Sequence, residues 1–233
     1  MKKTLKKLAY KVLGLLPSSA ILMLHNITDS PLLKKEILLS QDRFYLLIDS
    51  FHNWASLESV IVKPSRSGLA LTFDDGFEDV YSVAYPYLKA KKIPFTVFVT
   101  VEKLNSAGYL TSEQLCELSK DTLCTIGTHC VHHLPLAKMS KEEQRVELLD
   151  SKRKIEAAIG KPVRFMAFPY GSYNKTTLKI LRETHAYEAA CIVGRGFLNI
   201  VSGYGRYTKP RIAVDNVVFD KNFALLKEKF RSE

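Results

Sequence analysis

Apolar residues along the chain alternate between short continuous runs and helical spacing. Continuous runs of strand length occur at residues 21–24, 69–73, 95–100, 164–168 and 189–193. Helical spacing fills residues 78–91, the segment from 111 to about 120, and the segment after 140 up to 159. Short apolar runs bounded by turn residues are typical of buried strands. Strands that alternate with helices predict a single α/β domain whose parallel sheet or barrel is covered on both faces.

Two of these helices have clear start signals. Thr111 is followed three residues later by Gln114, and Ser140 is followed by Glu143 in the same way. This spacing is that of a capping box, in which the two side chains satisfy free backbone N–H groups of the first turn. Gly160 then marks the end of the longer helix.

The first 17 residues have a different pattern. Leucine and valine recur at helical spacing on one side, and five lysines lie on the other: Lys2, Lys3, Lys6, Lys7 and Lys11. Such a helix, ended by Pro17, either packs on the domain by its apolar face or lies in an anionic membrane surface. Lys11 interrupts the apolar run that a signal peptide needs, and no apolar run reaches 18 residues, so neither a signal peptide nor a spanning helix is predicted. The remaining residues, 18–233, are expected to form the catalytic domain.

Composition limits the class of protein. With 46% hydrophobic residues and a mean hydropathy of −0.05, the 233-residue chain can bury one sizeable core, which excludes disorder. The net charge of +10 favours an anionic partner, but no helix-turn-helix, zinc-finger or RNA-binding signature supports nucleic acid. The four cysteines lack C-x-x-C spacing and are expected to be reduced and buried: Cys116, Cys124, Cys130 and Cys191.

Candidate chemistry begins directly after the predicted strand at 69–73, with Asp74, Asp75 and Gly76. Adjacent carboxylates raise each other's pKa unless a cation compensates them. One of the two can bind a metal while the other stays free as a base, and Gly76 permits the tight turn that presents both. By itself the triplet is more typical of a surface turn.

Three histidines lie within five residues: His129, His132 and His133. His129 and His133 are four residues apart, a spacing that puts both imidazoles on one face of a helical turn and selects His133 over His132. Imidazole is a common ligand of zinc and similar divalent metals. Two histidines with one carboxylate, and other positions left open, are typical of a catalytic metal site.

Two further segments follow predicted strands. Pro169, Tyr170 and Gly171 come after the strand at 164–168, and alone they indicate only a turn. His25 follows the first strand, and its spacing alone favours a residue that simply ends that strand.

Together these segments resemble the polysaccharide deacetylases of carbohydrate esterase family four. The Thr-Phe-Asp-Asp-Gly segment is similar to the family's first motif, which implies Asp74 as the catalytic base and Asp75 as a metal ligand. The Gly-Thr-His-Cys-Val-His-His segment is similar to its second motif, which implies His129 and His133 as the other metal ligands.

The third motif of that family is similar to Phe-Pro-Tyr-Gly in this chain. The resemblance implies that the backbone N–H of Tyr170 helps to form the oxyanion hole, beside Pro169 and Gly171. The likeness covers about residues 21–214 and implies a distorted (β/α)7 barrel.

The chain departs from the family pattern at two points. The arginine that usually precedes the third motif and steadies the base is replaced by Ala167, and Arg164 or Arg211 are the candidates to substitute for it. The histidine that usually serves as general acid near the C-terminus is missing, because no histidine follows His185. A permuted subgroup resembling the poly-N-acetylglucosamine deacetylases carries that histidine near the N-terminus, which implies His25 as the general acid.

The resemblance implies hydrolysis of an N-acetyl group on an amino sugar of a polysaccharide or glycan precursor. The implied cofactor is a divalent metal ion, zinc first, with Co²⁺, Ni²⁺ and Mn²⁺ as alternatives. Two other functions remain open: a deacylase for another amide or ester, such as an O-acetylated or lipid-linked sugar, and an inactive carbohydrate-binding relative.

We expect an N-acetylated glycan as the partner. We also expect a bacterial cytoplasmic location, because the thiols are expected to be reduced and no signal peptide is predicted. The basic N-terminal helix would place the protein peripherally at the inner face of an anionic membrane.

Overall fold

The computed structural model of the chain describes residues 18–29, 37–62, 67–194, 196–198 and 204–230. The predicted N-terminal helix lies outside these ranges and stays a prediction. Among the described residues, no helix is both long and apolar enough to cross a membrane.

Seven parallel strands close into a barrel, in the order β1-β4-β5-β6-β7-β8-β9. The strands of the barrel are β1 (Ala20–Leu24), β4 (Leu69–Phe73), β5 (Phe95–Val99), β6 (Cys124–Thr128), β7 (Phe165–Ala167), β8 (Ala189–Val193) and β9 (Lys209–Ala213). A two-stranded parallel sheet of β2 (Asn26–Ile27) and β3 (Leu38–Leu39) lies beside it. The expected distorted (β/α)7 barrel is therefore confirmed.

Helices between the strands cover the outside of the barrel. They are α1 (Gln41–Asp49), α2 (Leu57–Val62), α3 (Tyr85–Ala90), α4 (Ser112–Lys120), α5 (Lys141–Ile159), α6 (Lys175–Thr184) and α7 (Phe219–Phe230). Both predicted capping boxes are present at the starts of α4 and α5, and Gly160 ends α5 with a left-handed φ of 66°. Before α3, residues Val80–Ala84 form a π-helical turn, so the helix predicted over 78–91 is less regular than expected.

Alternate residues of the strands fill the inside of the barrel. Phe98, Phe165 and Ala167 belong to this inner cluster, which is separate from the larger core between barrel and helices. The wall is uneven, since β5 and β6 pair over five residues but β6 and β7 share only the pair Thr128↔Met166. This short seam is where the barrel departs most from a regular cylinder.

The cysteines are all free thiols, as expected. Three of them are buried, but Cys116 is only half-buried. It lies on α4, where its Sγ donates a hydrogen bond to the backbone oxygen of Ala158 at the surface.

One half-buried carboxylate supports the short sheet next to β1. Asp79 accepts a hydrogen bond from the backbone N–H of Ile27 at 2.7 Å, and its other oxygen is buried without a hydrogen-bond partner among the described residues. Burial raises the pKa of Asp79 to about 7, and the bond from Ile27 offsets only part of that rise.

We predict that Gly127→Ala destabilises the protein by about 1–3 kcal/mol, a typical cost of overpacking a core. Gly127 stands opposite Phe98 in the β5–β6 register, and an added Cβ would lie 2.5 Å from the Phe98 ring and 2.9 Å from the Phe165 carbonyl oxygen. Urea unfolding measures the change. Gly194→Ala is the matched control, because its Cβ would meet nothing closer than 3.5 Å; equal effects for the two variants would contradict the prediction.

We predict that Asp79→Asn gains stability relative to the unchanged protein as pH rises from about 4 to 7. Between the ordinary pKa of 3.8 and the folded value of about 7, the folded protein keeps a proton that the unfolded chain has lost, so its stability falls as pH rises. Asparagine cannot ionise, and the relative gain should reach ~1–2 kcal/mol for this partly solvated group.

Urea unfolding across this pH range tests the expectation for Asp79. Asp42→Asn, which removes an exposed carboxylate from the first turn of α1, is the control for loss of charge. A difference between the Asp79 variant and the unchanged protein that stays constant with pH would refute the assigned linkage.

Candidate active site

The predicted site residues converge at the carboxyl end of the barrel strands. His25 follows β1, Asp74 follows β4, and His129 follows β6. Because Leu24 and Phe73 are register partners and the Asp74 N–H bonds the Leu24 carbonyl at 2.9 Å, His25 and Asp74 leave neighbouring strands side by side. Ligand chemistry in parallel barrels is found at this end of the strands.

Asp75, His129 and His133 form a compact cluster. Their potential ligand atoms all lie within 4.8 Å of one another. The Asp75 Oδ1 atom is 3.7 Å from His129 Nε2 and 3.2 Å from His133 Nε2. That oxygen is buried and, within the described part of the chain, has no hydrogen-bond partner. An unsatisfied carboxylate oxygen between two imidazoles fits a cation better than it fits a closed hydrogen-bond network.

The His129 ring is fixed by the β7 backbone. Its Nδ1 lies 2.7 Å from the carbonyl oxygen of Ala167. A carbonyl only accepts, so Nδ1 carries the proton and Nε2 presents its lone pair toward Asp75. Histidine ligands of metals are commonly oriented by such a bond from the second ring nitrogen.

Burial controls the ionisation of the cluster. Burial lowers the pKa of His129 to about 3 and also lowers the pKa of His133, which keeps both rings neutral at pH 7. Burial raises the pKa of Asp75 to about 6, with the charge of His25 opposing the rise and the charge of Asp74 adding to it. A neutral imidazole pair beside a carboxylate whose charge is poorly compensated is the electrostatic setting that a bound cation would stabilise.

The two histidines are brought together by a loop. The prediction that His129 and His133 share a helical turn is wrong, because the strand β6 runs up to Thr128 and the chain then turns irregularly. Cys130 and His133 have left-handed φ values of 66° and 55°. Such a backbone costs non-glycine residues about 1–3 kcal/mol each, and it persists where surrounding contacts enforce it.

Asp74 is held by a buried arginine. Arg211 on β9 donates two hydrogen bonds to the two carboxylate oxygens, each at 2.6 Å, and a third to the Thr72 hydroxyl at 3.2 Å. Both side chains are nearly inaccessible to water, at 0% and 2% exposure. Burial alone would raise the pKa of Asp74, but the charge of Arg211 and its hydrogen bonds outweigh burial and hold that pKa well below its usual range.

Arg164, the other candidate for this task, lies elsewhere. It directly precedes β7, at the end of the barrel opposite the cluster. Its guanidinium binds the carboxylates of Glu58 and Glu188. Arg211 reaches Asp74 because β9 adjoins β1, which adjoins β4.

The remaining predicted residues surround the cluster. His25 is half-buried, and its charge lowers the pKa of both Asp74 and Asp75. Pro169, Tyr170 and Gly171 form a short turn after β7, in which Tyr170 has a left-handed φ of 57°. The Tyr170 ring is 67% exposed and packs on the His133 ring with centroids 4.7 Å apart.

Sequence reasoning missed a cation at the edge of the site. Lys103 ends a 3₁₀ turn after β5, and its charge lowers the pKa of Asp75 and of His133. Its ammonium group lies 5.6 Å from the centroid of the Tyr109 ring. The rule that chemistry lies after strand ends would have found it, since Lys103 is four residues beyond the end of β5.

Comparisons with known proteins show which proteins this chain resembles. The YxkH protein of Bacillus subtilis (strain 168) is 33% identical over 122 residues, which are 52% of this chain and 43% of YxkH. The poly-beta-1,6-N-acetyl-D-glucosamine N-deacetylase of Staphylococcus aureus (strain MSSA476) is 29% identical over 170 residues, 67% of this chain and 57% of that protein. The chain thus spans about half the length of the curated relatives it matches.

Solved structures share the whole barrel. The Streptococcus pyogenes deacetylase PplD, solved in complex with acetate, superposes with a TM-score of 0.76 at 25% identity, over 93% of this chain and 100% of that one. IcaB from Ammonifex degensii superposes with a TM-score of 0.75 at 20% identity, over 89% and 96% of the two chains. A family profile for polysaccharide deacetylases matches residues 62–189, more than half of the chain. The chain belongs to the polysaccharide deacetylase family.

Proposed function

We propose that the protein is a metal-dependent hydrolase that removes an N-acetyl group from an amino sugar in a polysaccharide or glycan precursor. The observation that carries this proposal is the buried Asp74 carboxylate, fixed by Arg211, whose Oδ2 lies 3.7 Å from the Nε2 of a candidate metal ligand, His129. Membership of the polysaccharide deacetylase family supports it, as does the name of the Staphylococcus aureus relative. The acetate in the PplD structure, the product such a reaction releases, is further support.

Asp75, His129 and His133 are the residues that would hold the metal. Two neutral imidazoles and one carboxylate with an unsatisfied oxygen match the donor set of catalytic zinc sites, and Co²⁺, Ni²⁺ or Mn²⁺ accept the same donors. A divalent metal supplies Lewis acidity, which polarises the amide carbonyl and makes water a stronger nucleophile near neutral pH.

Asp74 acts as the general base. Its low pKa keeps it ionised at pH 7, and the two bonds from Arg211 fix the carboxylate plane. Its Oδ2 atom lies 3.7 Å from Nε2 of His129, at the cluster where water would be activated. Asp74 therefore accepts the proton of a water that attacks the amide carbon.

His25 and Tyr170 complete the reaction. The backbone N–H of Tyr170 donates to the oxygen that becomes negatively charged when the amide carbon turns tetrahedral. His25, on the strand next to Asp74, protonates the amine as the C–N bond breaks. Acetate and a free amino sugar leave.

We predict that Asp74→Asn lowers kcat by at least ~100-fold and changes zinc affinity by less than about threefold, because the general base is lost and all three ligands remain. Initial rates and chelator competition measure the two quantities, and circular dichroism checks the fold. Glu102→Gln, which neutralises an exposed acid at the same end of the barrel, is the matched control. Near-normal turnover by the Asp74 variant would remove Asp74 from the mechanism.

We predict that the protein releases acetate from N-acetylated oligosaccharides or precursor sugars. A chelator should abolish this release, and added zinc should restore it. The panel includes O-acetylated and lipid-linked sugars, so that faster ester than amide hydrolysis would assign the alternative deacylase function.

His129→Ala should lose zinc and activity together, because it removes a ligand and its bond to Ala167. Carbohydrate binding without turnover on any substrate would identify an inactive relative instead, and full activity in chelator would exclude the metal mechanism.

A further inference from the structure

A buried carboxylate on α5 contacts the segment that joins His129 to His133. Glu147 Oε2 accepts hydrogen bonds from the backbone N–H groups of Val131, at 2.8 Å, and His132, at 3.1 Å. Its Oε1 meets Nδ1 of the His132 ring. The Glu147 side chain is 3% exposed, so these bonds are shielded from water.

The contacted segment lies between two strained residues. Cys130 and His133 both have left-handed φ values, and Val131 and His132 are the two residues between them. On the other side, the Cys130 and Val131 carbonyls accept hydrogen bonds from the N–H groups of residues 101 and 102 at 3.2 and 3.0 Å. Glu147 therefore binds the N–H groups of a loop whose carbonyls are bound elsewhere, and the loop is held from two sides.

An isolated buried carboxylate is costly unless hydrogen bonds compensate it. The contacts of Glu147 in the described part of the chain are those two N–H groups and the His132 ring, with no lysine or arginine bonded to it. The other buried positions of α5 carry uncharged side chains, both polar and apolar: Gln144, Leu148, Ser151 and Ile155. The packing of this helix face therefore does not itself require a charge. The acidic group at this position is explained by what it does to the loop.

We propose that Glu147 is a positioning residue for the metal centre. By accepting both N–H groups, it fixes the backbone that leads into His133 and so sets the 3.2 Å approach of His133 Nε2 to Asp75. The proposal rests on the proposed function, because it assumes that Asp75, His129 and His133 bind a divalent metal. The positioning depends on the length of the Glu147 side chain, which brings its oxygens within hydrogen-bond distance of the two N–H groups. It does not depend on the charge of Glu147.

The test compares Glu147→Gln with Glu147→Asp. Glutamine keeps an oxygen at the same reach for both N–H groups, and its amide can donate to the His132 ring. Aspartate keeps the charge but is one methylene too short. Zinc affinity is measured on metal-free protein by competition with a chromophoric chelator. We expect the Gln variant to stay within about threefold of the unchanged protein and the Asp variant to bind about 10- to 100-fold more weakly, the usual effect of losing an outer-shell partner.

Two further variants separate positioning from general stability. Glu142→Asp makes the same change at an exposed site of α5 and should leave zinc affinity unchanged. His132→Ala removes the ring contact and keeps both backbone N–H groups, so its affinity should stay within about threefold. All titrations are done well below the thermal midpoint of each metal-free variant, so that unfolding does not contribute.

The outcomes are distinct. If the unchanged protein binds no zinc, the proposed function fails and this inference fails with it. If the unchanged protein binds zinc and the Asp variant binds equally well, only the positioning role of Glu147 is overturned. Weakening by the Gln variant would show that the charge is needed, and weakening by His132→Ala would show that the ring is; either result overturns the proposal as stated.

Discussion

The buried ion pair between Asp74 and Arg211 links the barrel to its chemistry. Removing two charges from water costs several kcal/mol each, and only good geometry with extra hydrogen bonds recovers it. Here the geometry is bidentate, Thr72 takes a further bond, and the guanidinium lies 5.4 Å over the Phe98 ring. Asp74 follows β4 and Arg211 lies on β9, and these two strands lie on either side of β1. The pair therefore forms only when β9, the last strand, has paired with β1, the first.

This pair also constrains the barrel interior. The Phe98 ring under Arg211 occupies space that exists because Gly127 opposite it has no side chain. Gly127, which is distant from Arg211 in sequence, therefore leaves room for the ring on which the arginine lies. The family position that carries arginine elsewhere is alanine in this chain, and the cation enters from another strand.

The sequence predicted the parts of the fold that follow simple periodic rules. The strands β1, β4, β5, β7 and β8 were identifiable because each lies in a continuous apolar run. The helices α4 and α5 were identifiable because each begins with a capping box. Two strands of the barrel were missed, as was the short sheet of β2 and β3. β6 contains Gly127 and polar threonines, and β9 contains Pro210 and a buried Arg211, so neither forms an apolar run.

The site residues were predictable as a set, but their geometry was not. Motif resemblance supplied the residue types, while the i, i+4 spacing of His129 and His133 suggested a helical turn that a strained loop replaces. The choice of Arg211 over Arg164 depends on which strand ends adjoin, a property of barrel closure that no local pattern contains.

The short seam between β6 and β7 gives His129 a second task. With one residue pair joining the two strands, the bond from the His129 ring to the Ala167 carbonyl acts as an additional rung of the ladder, made by a side chain. The two nitrogens of one imidazole thus face the wall of the barrel and its reactive centre. A change that moves this ring would therefore also break a bond across the shortest strand pairing of the barrel, so the geometry of the centre and that of the wall are linked through a single residue.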